Sequence, residues 1–255
     1  MKIEGKTALI TGGASGLGAA SAKRLYGMGA NVVIADMNQA NGEALCSELG
    51  AKAAFALVDV TNSETVQASV KLALEKFGGV HILVNCAGSG WIQKVVGKEG
   101  PHDLDVFVKI LNLNLVGTFD AVRLAAFEMQ SNDPNEDGER GVIINTASVA
   151  AFDGQMGQVA YAASKAGVVG MTLVLARDLA RSGIRCCSIA PGTFETPLTA
   201  LMAPEARDSM IQQTPFPKRF GHADEFASLV QQIVENPFMN GETIRIDGAI
   251  RMPPR

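Results

Sequence analysis

Thr11-Gly12-Gly13-Ala14-Ser15-Gly16-Leu17-Gly18 is the stretch on which the reading of this chain turns. It closes a short apolar run, 7–11, and opens a helix-length segment. Glycine reaches positive φ without steric cost and lets a backbone come close to a ligand. The start of the next helix offers unpaired N–H groups and positive dipole potential to an anion. A lone glycine cluster is weak. At the first strand-to-helix junction it marks a dinucleotide's pyrophosphate site, with Gly12, Ser15, Gly16, Leu17 and Gly18 as contacts. The spacing is GxxxGxG rather than the more general GxGxxG. Gly5-Lys6-Thr7 looks like the end of a phosphate-binding loop, but it precedes the strand and cannot cradle phosphates at the strand's exit.

Further strand patterns lie at 31–35, 53–58, 80–85, 141–146, 184–189 and 242–246. Several are continuous runs of Val, Ile and Ala, as expected of strands buried on both faces. Helix-length segments separate most of them. The expectation is an α/β fold: one Rossmann-like, doubly wound domain over 1–255, with a seven-stranded parallel sheet and helices on both faces. Two stretches read as insertions, 89–102 and the polar 131–141, the second as a solvated surface loop. Residues 110–119 carry no charge, and 159–176 carry only Lys165. Helices that apolar need cover on their outer faces, and a second subunit is the simplest cover.

Composition narrows the partners. The chain has 22 basic and 26 acidic residues and a net charge of -4. Phosphate-backbone binding leaves a basic footprint, so no nucleic acid partner is expected. No uninterrupted apolar run nears the roughly 18 residues of a membrane span, so no membrane partner is expected either. Met1-Lys2-Ile3-Glu4-Gly5-Lys6 runs straight into the first strand with no leader pattern, which points to the cytoplasm. Cys46, Cys86, Cys186 and Cys187 form no CxxC and read as reduced thiols. His81, His102 and His222 lack ligand partners at metal spacing, so no metal is expected.

Asp36 ends the second strand, at the spacing of a carboxylate that binds the adenosine ribose hydroxyls. It would repel a 2′-phosphate, and Ala14, Ser15, Met37 and Asn38 supply no cation to offset this. NAD rather than NADP is therefore the expected cofactor. Asp59, with Val60, ends the third strand and is assigned to the adenine. Tyr161 and Lys165 lie four apart on one helix face. A tyrosine with a pKa of about 10 is a poor base at neutral pH. A neighbouring ammonium favours the phenolate, so Lys165 is expected to lower the Tyr161 pKa. Ser148, just past the fifth strand, is placed to hydrogen-bond the substrate oxygen. A hydrolase is excluded, because there is no GxSxG elbow and no histidine accompanies Ser148.

These residues together resemble the short-chain dehydrogenase/reductase family over essentially the whole chain. The family's TGxxxGxG is Thr11 to Gly18, and its NNAG is Asn85-Cys86-Ala87-Gly88, with Cys86 where Asn is commoner. The resemblance implies catalytic roles for Asn114, Ser148, Tyr161 and Lys165. It implies cofactor contacts from Cys86, Ala87, Gly88, Tyr161, Lys165, Pro191, Gly192 and Thr196, the last at the carboxamide. It also implies a homotetramer in which helices 103–130 and 158–181 pair across one two-fold axis and 242–255 packs across another. The stretches 131–152 and 240–252 more narrowly resemble the type 2 3-hydroxyacyl-CoA dehydrogenase branch, also known as 17β-hydroxysteroid dehydrogenase type 10, without the mitochondrial address of its animal members. That implies oxidation of a secondary alcohol, an (S)-3-hydroxyacyl-CoA or alternatively a hydroxysteroid. A role of another class, a scaffold subunit of an RNA-processing complex, is also implied. Substrate contacts are assigned to Ser148, Tyr161 and Gln155. A lid is expected at 193–221, with Leu198, Leu201, Met202, Met210, Ile211, Phe216 and Phe220 among Pro197, Pro204, Pro215 and Pro217.

Overall fold

The computed structural model describes residues 1–200 and 202–254. Seven parallel strands form one sheet in the order β3-β2-β1-β4-β5-β6-β7. They are β1 (Thr7–Thr11), β2 (Asn31–Asp36), β3 (Ala53–Leu57), β4 (Ile82–Asn85), β5 (Gly141–Thr146), β6 (Ile184–Pro191) and β7 (Thr243–Ile246). The helices are α1 (Gly16–Gly27), α2 (Gln39–Leu49), α3 (Ser63–Phe77), α4 (Leu104–Leu111), α5 (Gly117–Met129), α6 (Val159–Leu179), α7 (Pro197–Ala200), α8 (Pro204–Gln213) and α9 (Ala223–Glu235). Strand order reverses between β1 and β4. The crevice outside the carboxyl ends of those strands is where ligands enter such sheets.

The strands read as unbroken apolar runs because both faces are covered. Ile10, Ile34, Val84 and Ile144 pack beneath α1 and α9, whose Leu25, Phe226, Val230 and Ile233 complete one core. Leu9, Val33, Leu83 and Ile143 face the other way, against Val66 and Val70 of α3 and Ala121, Ala125 and Met129 of α5. A buried polar ladder crosses the sheet at its carboxyl edge. Thr11 Oγ1 donates to Asn85 Oδ1 (3.1 Å), and Asn85 Nδ2 donates to Asn145 Oδ1 (2.9 Å). Those three residues stand in register on neighbouring strands.

Two expectations need correcting. The 131–141 insertion is not wholly solvated, because its Glu139 is buried. Glu139 accepts from Arg185 at 2.8 Å and pairs with the Met1 ammonium at 3.0 Å. Arg185 also donates to the carbonyls of Ile233, Val234 and Met239. Secondly, Leu104–Met129 and Val159–Ser182 are each long and apolar enough to cross a membrane, with mean hydropathy 1.3 and 1.5. Scattered charges break their apolar runs in the sequence without lowering the average enough. About half of the first window and 39% of the second are buried within the domain.

Removing one partner of a buried ion pair leaves an uncompensated charge, at a cost of about 3–5 kcal/mol. Glu139→Gln is therefore expected to lower the unfolding free energy by that amount. A denaturant midpoint unchanged from the parent protein would contradict this.

Candidate active site

The glycine turn lies at the sheet's reversal point. Gly12 has φ 62°, and a Cβ there would sit 2.7 Å from the Ala87 nitrogen. Any side chain would wedge the β1 and β4 turns apart. Ser15 caps α1 without a side-chain bond, and the first turn of α1 holds no acidic residue. The helix start is thus open toward the crevice with its positive end unneutralised. Asp36 borders this turn: its Oδ2 accepts from the Ala14 N–H (3.0 Å) and its Oδ1 from the Asn38 N–H (2.9 Å). Asp59 lies at the end of β3, but its Oδ1 folds back onto the Thr61 N–H and hydroxyl at 2.9 and 2.7 Å. Val60 is buried, and its carbonyl lies 2.8 Å from where a Cβ on Gly117 would be.

Asn114, Gly88, Lys165 and Tyr161 meet on the far side of the crevice. Between α4 and α5 the helix widens into one π-turn, Asn112–Val116, and Asn114 is fully buried within it. Such π-bulges often occur at functional sites. Asn114 Oδ1 accepts from the Ser89 N–H at 3.0 Å, while its Nδ2 donates to Ser89 O at 2.8 Å and Ser164 Oγ at 3.0 Å. A Cβ on Gly88 would stand 2.8 Å from Asn114 Oδ1 and 3.4 Å from Lys165 Nζ. Glycine thus lets Asn114 approach the β4 turn closely, with Lys165 in ordinary contact beside it.

The buried Lys165 donates from Nζ to the Thr146 carbonyl at 2.7 Å and lies 5.9 Å from the centre of the Tyr161 ring. Burial lowers its pKa from 10.5 to about 8. Burial also raises the Tyr161 phenol, and the hydrogen bond with Ser148 pulls it back part of the way. This differs from the expectation that Lys165 lowers the Tyr161 pKa. The ammonium is directed at Thr146, and desolvation of the phenolate outweighs it in the ligand-free protein. Ser148 also accepts from the Ala150 N–H at 3.1 Å. Cys86 sits between these groups, receives the Thr146 hydroxyl at 3.6 Å, and is pushed up to about 11 by burial.

The remaining assigned residues divide. Thr196 approaches the glycine turn, with its Cγ2 3.4 Å from where a Cβ on Gly16 would be. Pro191 ends β6, and the Gly192 N–H donates to Ile246 O at 2.9 Å. Gln155 Nε2 donates to Pro253 O at 3.2 Å and its Oε1 accepts from Gln158 at 3.5 Å. In 193–221, Phe220 is buried with Arg207 stacked 4.6 Å from its ring, whereas Phe216 is exposed. Leu201 and the Leu198 side chain lie outside the described residues. Thr146 and Ser164 were not among the expected site residues. Nothing in their sequence context distinguishes an ordinary strand-end threonine or helix serine from these partners.

The family pattern described as short chain dehydrogenase matches residues 6–206. The chain belongs to the short-chain dehydrogenase family. It is 54% identical over 254 residues to the 3-hydroxyacyl-CoA dehydrogenase type-2 of Bos taurus, covering 99% of this chain and 97% of that protein. Its identity to the protein of that name from Drosophila melanogaster is 52%, covering 99% and 100%. The crystal structure of 3-hydroxyacyl-CoA dehydrogenase type-2 from Mycobacterium avium superposes with a TM-score of 0.95 at 43% identity, covering 98% of both chains. As a member of this family the chain is an oxidoreductase using a nicotinamide cofactor. The glycine turn, the open helix start and the Asp36 carboxylate fit such a dinucleotide.

Lys165 should destabilise the ligand-free fold. A pKa of about 8 against 10.5 corresponds to roughly 3 kcal/mol. The hydrogen bond to Thr146 offsets about 1 kcal/mol. Lys165→Met is thus expected to raise the unfolding free energy by about 2 kcal/mol. The sign follows from linkage: the unfolded chain holds the proton more tightly. The penalty is full below pH 8 and vanishes as pH rises through 10.5. Urea unfolding of both proteins at pH 7 and pH 10 measures it. A variant less stable at pH 7 would refute the burial argument.

Proposed function

We propose that this chain oxidises short or branched (S)-3-hydroxyacyl-CoA to the 3-ketoacyl-CoA with NAD. The observation carrying this reading is the Ser148, Tyr161 and Lys165 cluster in a chain so similar to proteins named 3-hydroxyacyl-CoA dehydrogenase. When bound, the nicotinamide supplies the hydride acceptor. Tyr161 as phenolate takes the hydroxyl proton. Ser148 orients the substrate oxygen through its hydroxyl. Lys165 holds the nicotinamide ribose and, as a cation, favours the phenolate once the crevice is filled. Asn114 anchors a water that links Lys165 to solvent. Gly12, Ser15, Gly16, Leu17 and Gly18 take the pyrophosphate, Asp36 the adenosine ribose, and Asp59 and Val60 the adenine. Cys86, Ala87, Gly88, Pro191, Gly192 and Thr196 line the nicotinamide half. The segment after β6, 193–221, acts as the lid over the acyl chain. The cytoplasm is the proposed compartment, supported by four free cysteines, and fractionation of source cells tests it.

One kinetic set tests the chemistry. kcat/KM for acetoacetyl-CoA reduction should exceed that for a 17β-hydroxysteroid. NADH should be preferred to NADPH, and Asp36→Ala should narrow the gap by removing the like-charge contact. Tyr161→Phe should lower kcat by about 10²–10⁴-fold. The oxidative rate should climb with pH as the phenolate forms. More efficient steroid turnover would overturn the acyl-CoA assignment, and near-parental kcat in Tyr161→Phe the mechanism.

The same reading includes a homotetramer with two-fold axes. Its support is apolar surface left bare on one subunit. Leu104 is 71% exposed and Phe127 68% exposed on the α4–α5 helix, and Phe238 before β7 is 98% exposed. Light scattering should give four times the monomer mass at micromolar concentration. A stable monomer there would rule the assembly out.

A further inference from the structure

Ser148 and Tyr161 are separated by an irregular loop, 152–158, that Arg245 joins to the sheet. Arg245 on β7 donates from Nη2 to Asp153 Oδ2 at 2.6 Å and from Nε to Asp247 Oδ2 at 2.8 Å. Its guanidinium lies 5.3 Å from the centre of the Phe152 ring. The side chains of Arg245 and Asp153 are each 19% exposed, so their attraction is only partly screened by solvent. Nη2 also donates to Ile250 O at 3.0 Å, and Arg251 joins at Asp247 with a 3.1 Å contact.

The chain beyond β7 is thereby folded back onto the loop. Met156 donates its N–H to Pro254 O at 3.0 Å, and Gln155 Nε2 reaches Pro253 O. Asp247 in turn presses on Gly192, where a Cβ would lie 2.9 Å from the Asp247 Cβ. One guanidinium therefore ties the loop between Ser148 and Tyr161 to the turn after β6. Its planar fork serves two carboxylates and a carbonyl at fixed angles, which a lysine cannot reproduce.

We infer that Arg245 is a positioning residue for the substrate side of the site, acting through Asp153 to hold the 152–158 loop and hence the separation of Ser148 and Tyr161. Arg245 touches no reacting atom in this assignment. A displacement of the loop by about 1 Å can reduce turnover by up to about 10²-fold. The glycine turn and Asp36 lie across the crevice and are not joined to this cluster, and Gly192, which Asp247 does touch, keeps its own N–H bond to Ile246 O at 2.9 Å, so NADH binding should change far less than turnover.

The kinetic arm rests on the acyl-CoA reading above and compares Arg245→Met, Asp153→Asn and the double variant. Each single variant should lower kcat/KM for acetoacetyl-CoA at least about tenfold, with NADH Kd within about twofold of the parent. The double variant should be little worse than Arg245→Met, since both changes break one link. Arg245→Lys should restore only part of the loss. Parental kcat/KM, an NADH Kd that rises in proportion, or additive losses would each overturn the inference. Should Arg245→Met fail to fold, Asp153→Asn carries the same expectations. A second arm needs no turnover: amide exchange at Met156 should be at least about tenfold faster in either ligand-free variant. Unchanged exchange overturns the inference, whereas faster exchange in a chain that does not reduce acetoacetyl-CoA would isolate the fault in the substrate reading.

Discussion

A buried ammonium must find an acceptor, and at Lys165 the Thr146 carbonyl at 2.7 Å is the acceptor among the described residues. Much of the site is built around that bond. It holds α6 to the end of β5, so the residue one turn before Lys165, Tyr161, comes beside Ser148. Gly88 leaves room beside it, since a Cβ there would crowd Asn114 Oδ1 at 2.8 Å. Asn114 then clamps Ser89 through both its N–H and its carbonyl. The π-turn widens the helix at Asn114 itself.

The arrangement costs stability and is arranged for binding. Lys165, Tyr161 and Cys86 are all driven toward their neutral forms by desolvation, two strongly enough to shift to about 8 and about 11. Groups of this kind, clustered at the edge of a crevice, are what active sites concentrate. The opposing stability comes from the two apolar layers that cover the faces of the sheet. The segment after β6 is packed unevenly. Its two legs are joined where the Glu195 N–H donates to Gly221 O at 2.8 Å, with Phe220 buried beneath, while α8 between them buries no residue.

The chain's own order of residues determined the fold class. Unbroken apolar strands alternating with helices have one economical solution, a parallel sheet covered on both sides, and all seven strands were legible within a residue or two. The glycine turn, Asp36 and the Tyr161/Lys165 spacing were legible too, because local backbone geometry and helical periodicity carry that information. The charge state of Tyr161 was not. A four-residue spacing says that Lys165 is near, but not that its ammonium turns toward Thr146 nor that burial outweighs it. The 131–141 loop is exposed along most of its length, as its composition suggests, but composition cannot show that one acid, Glu139, turns inward to meet Arg185 of β6. Gln155 and Arg245 were likewise decided by tertiary structure alone. Their partners, Pro253 and Asp153, are 98 and 92 positions away. Contacts across such separations depend on how strands and loops stack, so only the folded chain determines them.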